Sequence, residues 1–416
     1  MKRYSTTLLG IFILLFAQAQ DINYANKMLK ELTSNKYHGR GYVKNGDGKA
    51  AKFIAKQFEK HGLVSFNDSY YQKYSFPLNS FPSTLSVSID DKALVAGYDY
   101  VVSLSSPSVK TKFDIIDITD AVSNPDSLII TMQNNGSNGI YLINEKNTRS
   151  IYGKNISGVD AVAVLTEKMP YWHVSNGGKV DSTIWLKIRK DKVPADAKTL
   201  SVNVKNRFIE NHKTQNVVAW VKGTKYPDKY FVFTSHYDHL GMMGSKTYYP
   251  GANDNASGTS MVLDLARYYS LPENKPEYSI VFITFSGEEA GLFGSKYFAE
   301  NPLFPLEDIK LVVNLDMIGS GSEGITVVNG TLYDTLMVQM QQINKENNYL
   351  TNIKLRGESC NSDHCPFYQK GVKSIFIYTR GKELTAYHTP TDTSENFPFT
   401  AYNGLFRLLT DLVMSY

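Results

Sequence analysis

Seven side chains able to bind metals or move protons fall at abrupt stops in the later part of the chain. They are His236 and Asp238 in SHYDHLG, Asp254 in GANDNASG, Glu288 and Glu289 in SGEEAGLFGS, Asp316 in NLDMIG and His388 in YHTPTDT. Two imidazoles and several carboxylates, with no cysteine among them, form a donor set that suits zinc, with cobalt or manganese as replacements. A centre with two ions roughly 3.5–4 Å apart needs one carboxylate able to bridge, and it lowers the pKa of a shared water towards neutrality. It also needs a base beside that water. Side-chain direction lets one of the adjacent Glu288 and Glu289 face the ions and leaves its neighbour to accept a proton.

Taken singly, each residue has an ordinary role. Asp254 can be a helix cap, the glutamates a solvated pair, Asp316 a turn residue and His388 a surface imidazole. Together they resist that account. Asp316 and the glutamate pair end apolar strands, where an unpaired carboxylate is expensive. Two cations supply the missing partners.

The elements that must position these groups are strands and helices in alternation. Strand-like runs occupy 216–221, 230–235, 279–285, 310–315, 325–328 and 374–378, with helical patterns over 256–269, 292–299, 332–347 and 401–414. Near-continuous apolar strands between helices predict an α/β fold: a mostly parallel central sheet flanked by helices, buried on both faces. Ligands collect at the carboxyl ends of strands in such sheets. Upstream, helices are expected over 24–32 and 49–61, the second closed by Gly62, and a strand over 70–77.

Between 81 and 207 the character changes. Short runs at 85–89, 113–118, 139–143, 161–165, 184–188 and 200–204 are separated by Asn, Asp, Ser and Gly, as in an inserted mainly β domain. His173, beside Trp172, reads as a surface or packing histidine. The insert is assigned to substrate access or specificity, with a structural role as the alternative. Met242, Met243, Tyr248 and Tyr249 form either a cleft wall or a plain surface loop. The expected division is 1–19 leader, 20–80 first part of the catalytic domain, 81–207 insert and 208–416 catalytic domain.

The chain has 416 residues, 44 Lys and Arg, 40 Asp and Glu, and 42% hydrophobic residues, a composition for a folded protein of one large domain plus an insert. Its beginning, MKRYSTTLLGIFILLFAQAQ, has two cations, an apolar run from Leu8 to Phe16 and Ala17-Gln18-Ala19 as a small-x-small cleavage site. It reads as a secretory signal peptide cleaved after Ala19, too short in its apolar run to anchor the chain in a bilayer. The mature protein is therefore expected in the periplasm or outside the cell, with no stable membrane span. Removing Lys2 and Arg3 leaves 42 basic against 40 acidic residues, a balance that favours neither nucleic acid nor anionic membrane as partner. Cys360 and Cys365 are the only cysteines; they can bridge if the turn between them brings their Cα atoms within about 7 Å. Oligomeric state is not specified.

SHYDHLG, GANDNASG, SGEEAGLFGS, NLDMIG and YHTPTDT, in this order, resemble the successive motifs of the dinuclear zinc aminopeptidases of peptidase family 28, which also contains glutamate carboxypeptidases. YHGRG, YYQKYSF and NSDHCPF extend the resemblance over most of the mature chain. It is thinnest across the insert, which loosely resembles a protease-associated domain. The resemblance implies a zinc-exopeptidase, phosphorylase/hydrolase-like fold and two Zn²⁺ ions. His236 and Asp316 would hold one ion, Glu289 and His388 the other, and Asp254 would bridge. Glu288 would be general base and later acid, Asp238 would orient His236, and Tyr387 would stabilise the tetrahedral oxyanion. Asp363 and His364 lie in a motif near the cleft without an assigned role.

The implied activity is removal of N-terminal residues from peptide substrates by metal-activated water. A carboxypeptidase or dipeptidase on the same site is the alternative. Arg356 and Arg380 are candidate cations for a substrate carboxylate, Glu358 and Glu383 candidate acids for a free amine. From a different class comes a receptor-like binding module that keeps the fold without the chemistry.

Overall fold

The computed structural model describes residues 20–120, 124–136, 139–146 and 148–416. The expected signal peptide, 1–19, lies outside the described residues. Central-sheet strands are labelled in chain order: β1 Tyr71–Ser80, β2 Arg207–Val221, β3 Tyr226–His236, β4 Tyr278–Phe285, β5 Ile309–Leu315, β6 Ile325–Val328, β7 Ile353–Leu355 and β8 Ser374–Thr379. Their spatial order is β1-β2-β4-β3-β5-β8-β6-β7.

The four inner strands β4, β3, β5 and β8 run parallel, as their apolar runs predict. Antiparallel pairs enter at β1–β2, β2–β4 and β8–β6, so the parallel character is confined to the part that carries the candidate ligands and to β6–β7. The short strand β7 is not anticipated by any apolar run.

Alternate strand residues feed two cores. Val217, Phe231, Phe233, Ile280 and Phe282 face helices Ile22–Leu32, Gly46–Lys60, Gly258–Ser270 and Tyr402–Met414. Val218, Val232, Val281 and Ile283 face the opposite way, onto Phe298 and Phe367. Burying each large side chain contributes roughly 1.5–3 kcal/mol, and coverage of both faces is what a parallel sheet requires.

The chain leaves this sheet at Ser80 and returns at Arg207, which are register partners. An excursion whose ends already touch can be accommodated without disturbing the host sheet. Residues 85–204 form a second eight-stranded sheet, three of whose neighbouring pairs are parallel (Val109–Asp117 with Gly139–Asn144, the latter with Ala161–Thr166, and that with Ile184–Arg189). Helix Pro125–Asn135 makes the first crossover, so this sheet is less purely β than its sequence reads.

The stretch around Met242–Tyr249 is not a plain surface loop. Met242 pairs with Tyr248 in a short hairpin, and Leu240, Met243 and Tyr249 are buried in one core with the inserted sheet and with Tyr42 and Ala290. Cys360 and Cys365 are disulfide-bonded, their Cα atoms 4.9 Å apart, within the range expected for a bridge. No described helix is long and apolar enough to cross a membrane.

Candidate active site

β3 ends on His236, whose register partner is Phe285, the last residue of β4. Three residues further on, Glu288 and Glu289 are brought back over the strand ends. Asp316 directly follows β5. Asp254 does not open the helix as its sequence suggests: it lies in the irregular segment Ala252–Ser257 with non-helical φ/ψ, and the helix begins at Gly258. The Asp254–Asn255 peptide is cis. His388 comes from the loop after β8 and has φ 53°, a left-handed conformation that non-glycine residues adopt mainly where their surroundings impose it.

These residues converge. His236 Nε2 lies 3.3 Å from Asp254 Oδ1, 3.4 Å from Asp316 Oδ1 and 3.9 Å from Glu288 Oε2. His388 Nε2 lies 3.0 Å from Asp254 Oδ2 and 3.1 Å from Glu289 Oε2. The two oxygens of Asp254 thus face two different imidazoles. Donor separations of this size match the edges, about 3.3 Å, of a tetrahedron around an ion with bonds of about 2.0 Å. Asp316 Oδ1 is buried without a hydrogen-bond partner, as befits an oxygen reserved for a cation. The donor set therefore fits metal.

Charge distribution agrees. Burial opposes a charge on His236, but Glu288, Asp316 and Asp254 outweigh it and hold the ring well above the usual imidazole range. Burial likewise opposes His388, and Glu289 and Asp254 outweigh it. The cluster draws positive charge to the points where the ligand atoms meet. Glu288 and Glu289 are driven apart. Burial pushes Glu288 well above the carboxylate range, helped by Asp363, Glu289 and Asp316. Burial also raises Glu289, but His388 and His239 reverse the outcome and hold it below that range. Adjacent carboxyls in opposite environments are the pattern of one proton carrier beside one anionic ligand. Glu288 is also the more open, with 14% of its side chain exposed against 4% for Glu289.

Asp238 stands differently from expectation. His236 Nδ1 is 3.1 Å from the main-chain carbonyl of Asp238, whereas the Asp238 carboxylate is 3.7 Å from that nitrogen. The carboxylate instead accepts from the main-chain N–H groups of Glu288 and Glu289, each at 3.3 Å, and from the Tyr42 hydroxyl at 2.5 Å. It is oriented to fix the turn that carries both glutamates.

Tyr387 stacks on the His388 ring at 3.8 Å between centroids. Although 42% exposed, its hydroxyl is raised by burial and by Asp254, Glu289, Glu288 and Asp316, so it stays a protonated donor. Asp363 and His364 are buried at the start of helix His364–Gln369. Burial pushes Asp363 up to about 7 against the pull of His236.

Several supporting residues escape a reading of motifs. His239 is fully buried, with Nδ1 2.6 Å from Glu289 Oε1, and with Asp254 and Glu289 it forms a second donor group beside His236, Glu288 and Asp316. Its one signal is its place in SHYDHLG. Asp392 accepts from the N–H groups of Asn253 and Asp254, and burial pushes it up to about 7. Ser362, inside the disulfide loop, donates to Asp316 Oδ2 at 2.8 Å. Arg40 is fully buried and donates to the main-chain carbonyls of Tyr237 (2.7 Å), Leu32 (3.2 Å), Pro250 (2.5 Å) and Gly251 (2.7 Å), tying together the segments that carry His236 and Asp254. Burial lowers it to about 10, with Asp392, Asp254, Asp238 and Glu289 opposing, so it remains charged at neutral pH. Trp172 of the insert accepts from His388 Nδ1 through its carbonyl, at 2.8 Å.

A polar ligand cluster at the carboxyl edge of a largely parallel sheet defines a metallohydrolase-like architecture. Residues 216–413, just under half of the chain, match the model of Peptidase family M28. Over 259 residues it is 30% identical to Aminopeptidase YwaD of Bacillus subtilis (strain 168), a match covering 58% of this chain and 53% of that protein. The chain spans about half the length of this curated relative, and a smaller share of the next ones. Among solved structures, BSAP, a zinc aminopeptidase from Bacillus subtilis, superimposes with a TM-score of 0.72 at 20% identity, covering 94% of both chains. A Peptidase M28 precursor from Shewanella amazonensis SB2B gives 0.73 at 16% identity, covering 95% of this chain and 93% of that one. These two likenesses establish the fold, inserted sheet included in the aligned length.

Proposed function

We propose that the chain is an exported zinc aminopeptidase working with two ions. The observation that carries this reading is Asp254, one oxygen turned to His236 and the other to His388. His236 and Asp316 would hold one ion, His388 and Glu289 the other, and Asp254 would serve both. When bound, zinc supplies Lewis-acid polarisation of the scissile carbonyl and a water of lowered pKa.

The chain's own residues divide the remaining work. Glu288, the more open and more basic of the pair, takes the proton from the attacking water and returns it to the leaving amine. Asp238 holds the main chain of Glu288 and Glu289 so that the carboxylate meets the water from a fixed direction. The Tyr387 hydroxyl donates to the oxyanion as the carbonyl becomes tetrahedral. YwaD and BSAP, both described as aminopeptidases, support the aminopeptidase form. In the carboxypeptidase form Arg356 would be the remaining cation for a substrate carboxylate, because Arg380 already pairs with Glu323 at 3.0 Å; of the two candidate acids for a free amine, Glu383 is likewise engaged, by Ser322.

Changing Glu288→Gln tests the reading. Zinc content stays as in the wild type while hydrolysis of unblocked dipeptides falls by about 10²–10⁴; retained turnover refutes the role. N-blocked dipeptides should resist the wild-type enzyme and C-blocked ones should not. Export is tested separately by sequencing the mature N-terminus, expected at Gln20.

A further inference from the structure

Between the inserted sheet and the loop 385–391 lies a cavity of about 540 Å³, the size of pocket that takes a drug-sized or short-peptide ligand. Met169, Pro170, Tyr171 and Lys187 form its insert side and Tyr387 and Thr391 its catalytic side. None of the candidate metal ligands lines it. Yet it adjoins them by two aromatic routes. Tyr387 stacks directly on His388, and Tyr171 meets His173 edge-on at 5.2 Å, which in turn meets His388 at 4.8 Å.

We propose that this cavity receives the leaving side of a peptide substrate and prefers an apolar or aromatic residue there. The proposal rests on the aminopeptidase reading above. An enzyme that removes one residue from the amino end has a single residue on that side of the cut and the whole remaining chain on the other. A cavity outside the ligand cluster, roomy enough for more than one residue and partly open, fits the longer side.

Its chemistry indicates what it holds. Three of the four charged groups that line it are already engaged, Lys168 being the exception: Lys187 Nζ lies 3.4 Å from Glu145 and over the rings of Tyr171 and Tyr152 at 4.5 and 4.9 Å, and Glu167 pairs with Lys190 at 3.1 Å. Beside the exposed Lys168, what remains available is ring and thioether surface from Tyr171, Tyr387 and Met169, which favours apolar and aromatic side chains. Tyr171 is 42% exposed, so it can be replaced without opening a core.

The test compares leucinamide, whose leaving group is ammonia, with the tripeptide Leu-Phe-Ala, using the full mature chain with zinc restored. In Tyr171→Ala the ratio of kcat/KM for tripeptide over amide falls about tenfold, mainly through KM, as loss of one aromatic contact predicts. Met169→Ala shifts the ratio the same way by a smaller factor. An unchanged ratio in both variants overturns the proposal. So does a changed preference among N-terminal side chains in an amide series, which would place the amino-terminal residue in the cavity. If the wild type cleaves neither substrate, the peptidase reading has failed, and calorimetry decides the subsite alone. Leu-Phe-Ala must then bind the zinc-loaded wild type more tightly than Tyr171→Ala, and equal affinities overturn it.

Discussion

His388 Nδ1 donates to the main-chain carbonyl of Trp172 at 2.8 Å, and Trp172 N–H donates back to the His388 carbonyl at 3.0 Å. A residue of the insert therefore sets the ring orientation that turns Nε2 towards Asp254 and Glu289. Such outer contacts commonly control metal affinity by one or two orders of magnitude.

Trp172 is itself held by its indole, which donates to Val102 at 2.8 Å and packs on Tyr249. Trp172→Ala releases that hold. Affinity for the ion shared by His388 and Glu289 is expected to fall about 10–100-fold, with the His236 ion retained. Competition with a graded series of chelators reads the two steps separately; a uniform loss of both, or no loss, contradicts the assignment.

Asp254→Asn replaces one carboxylate oxygen by a donor amide. The side chain can then serve one ion at most, so zinc per protein, measured by elemental mass spectrometry, is expected to drop from two to one or fewer. Two tightly held ions in this variant would rule out the bridge.

Tyr42→Phe removes a hydrogen bond from the buried Asp238 carboxylate. The cost to stability is about 1–3 kcal/mol, and the loosened turn should lower kcat about tenfold while zinc content and KM hold. Urea unfolding with steady-state kinetics on the same preparation checks both parts.

His61 offers a pH test away from the metal ligands. Burial lowers its imidazole to about 4, helped by Lys60 and Arg267, and its Nε2 meets the Tyr24 hydroxyl at 3.0 Å. With the folded value below the unfolded one, the unfolded chain binds more protons between about pH 6.5 and 4. Its contribution is complete above about 6.5 and is lost as pH falls towards 4. After allowance for solvent screening this is worth about 1 kcal/mol. Urea midpoints at pH 7 and pH 5 should converge in His61→Asn relative to wild type.

Much of the centre is legible in the sequence because a carboxylate at the end of a buried apolar strand is tolerated only beside a cation or a set of donors. Glu288, Glu289 and Asp316 announce themselves in this way, and the alternation of strands and helices fixes which edge they share with His236. What is not legible depends on long-range contacts. The Asp238 carboxylate points to the Glu288–Glu289 turn because Tyr42, 196 residues earlier, and that turn supply its donors; spacing alone places it against His236. His239 is hidden by its neighbours in one motif, since a histidine facing Glu289 and one facing inward packing look alike in sequence. Trp172 and His173 give no signal, because their role arises only when the inserted sheet docks on the loop that carries His388.

Arg40 bears on how the fold fares when no zinc is bound. Its guanidinium, locked onto four main-chain carbonyls, is charged at neutral pH and acts on Asp254, Asp238, Glu289 and Asp392. Repulsion among the carboxylates is thereby blunted before any zinc arrives. Stripped protein is thus expected to be dormant rather than denatured, a reserve that external zinc can switch on and a chelator can switch off again.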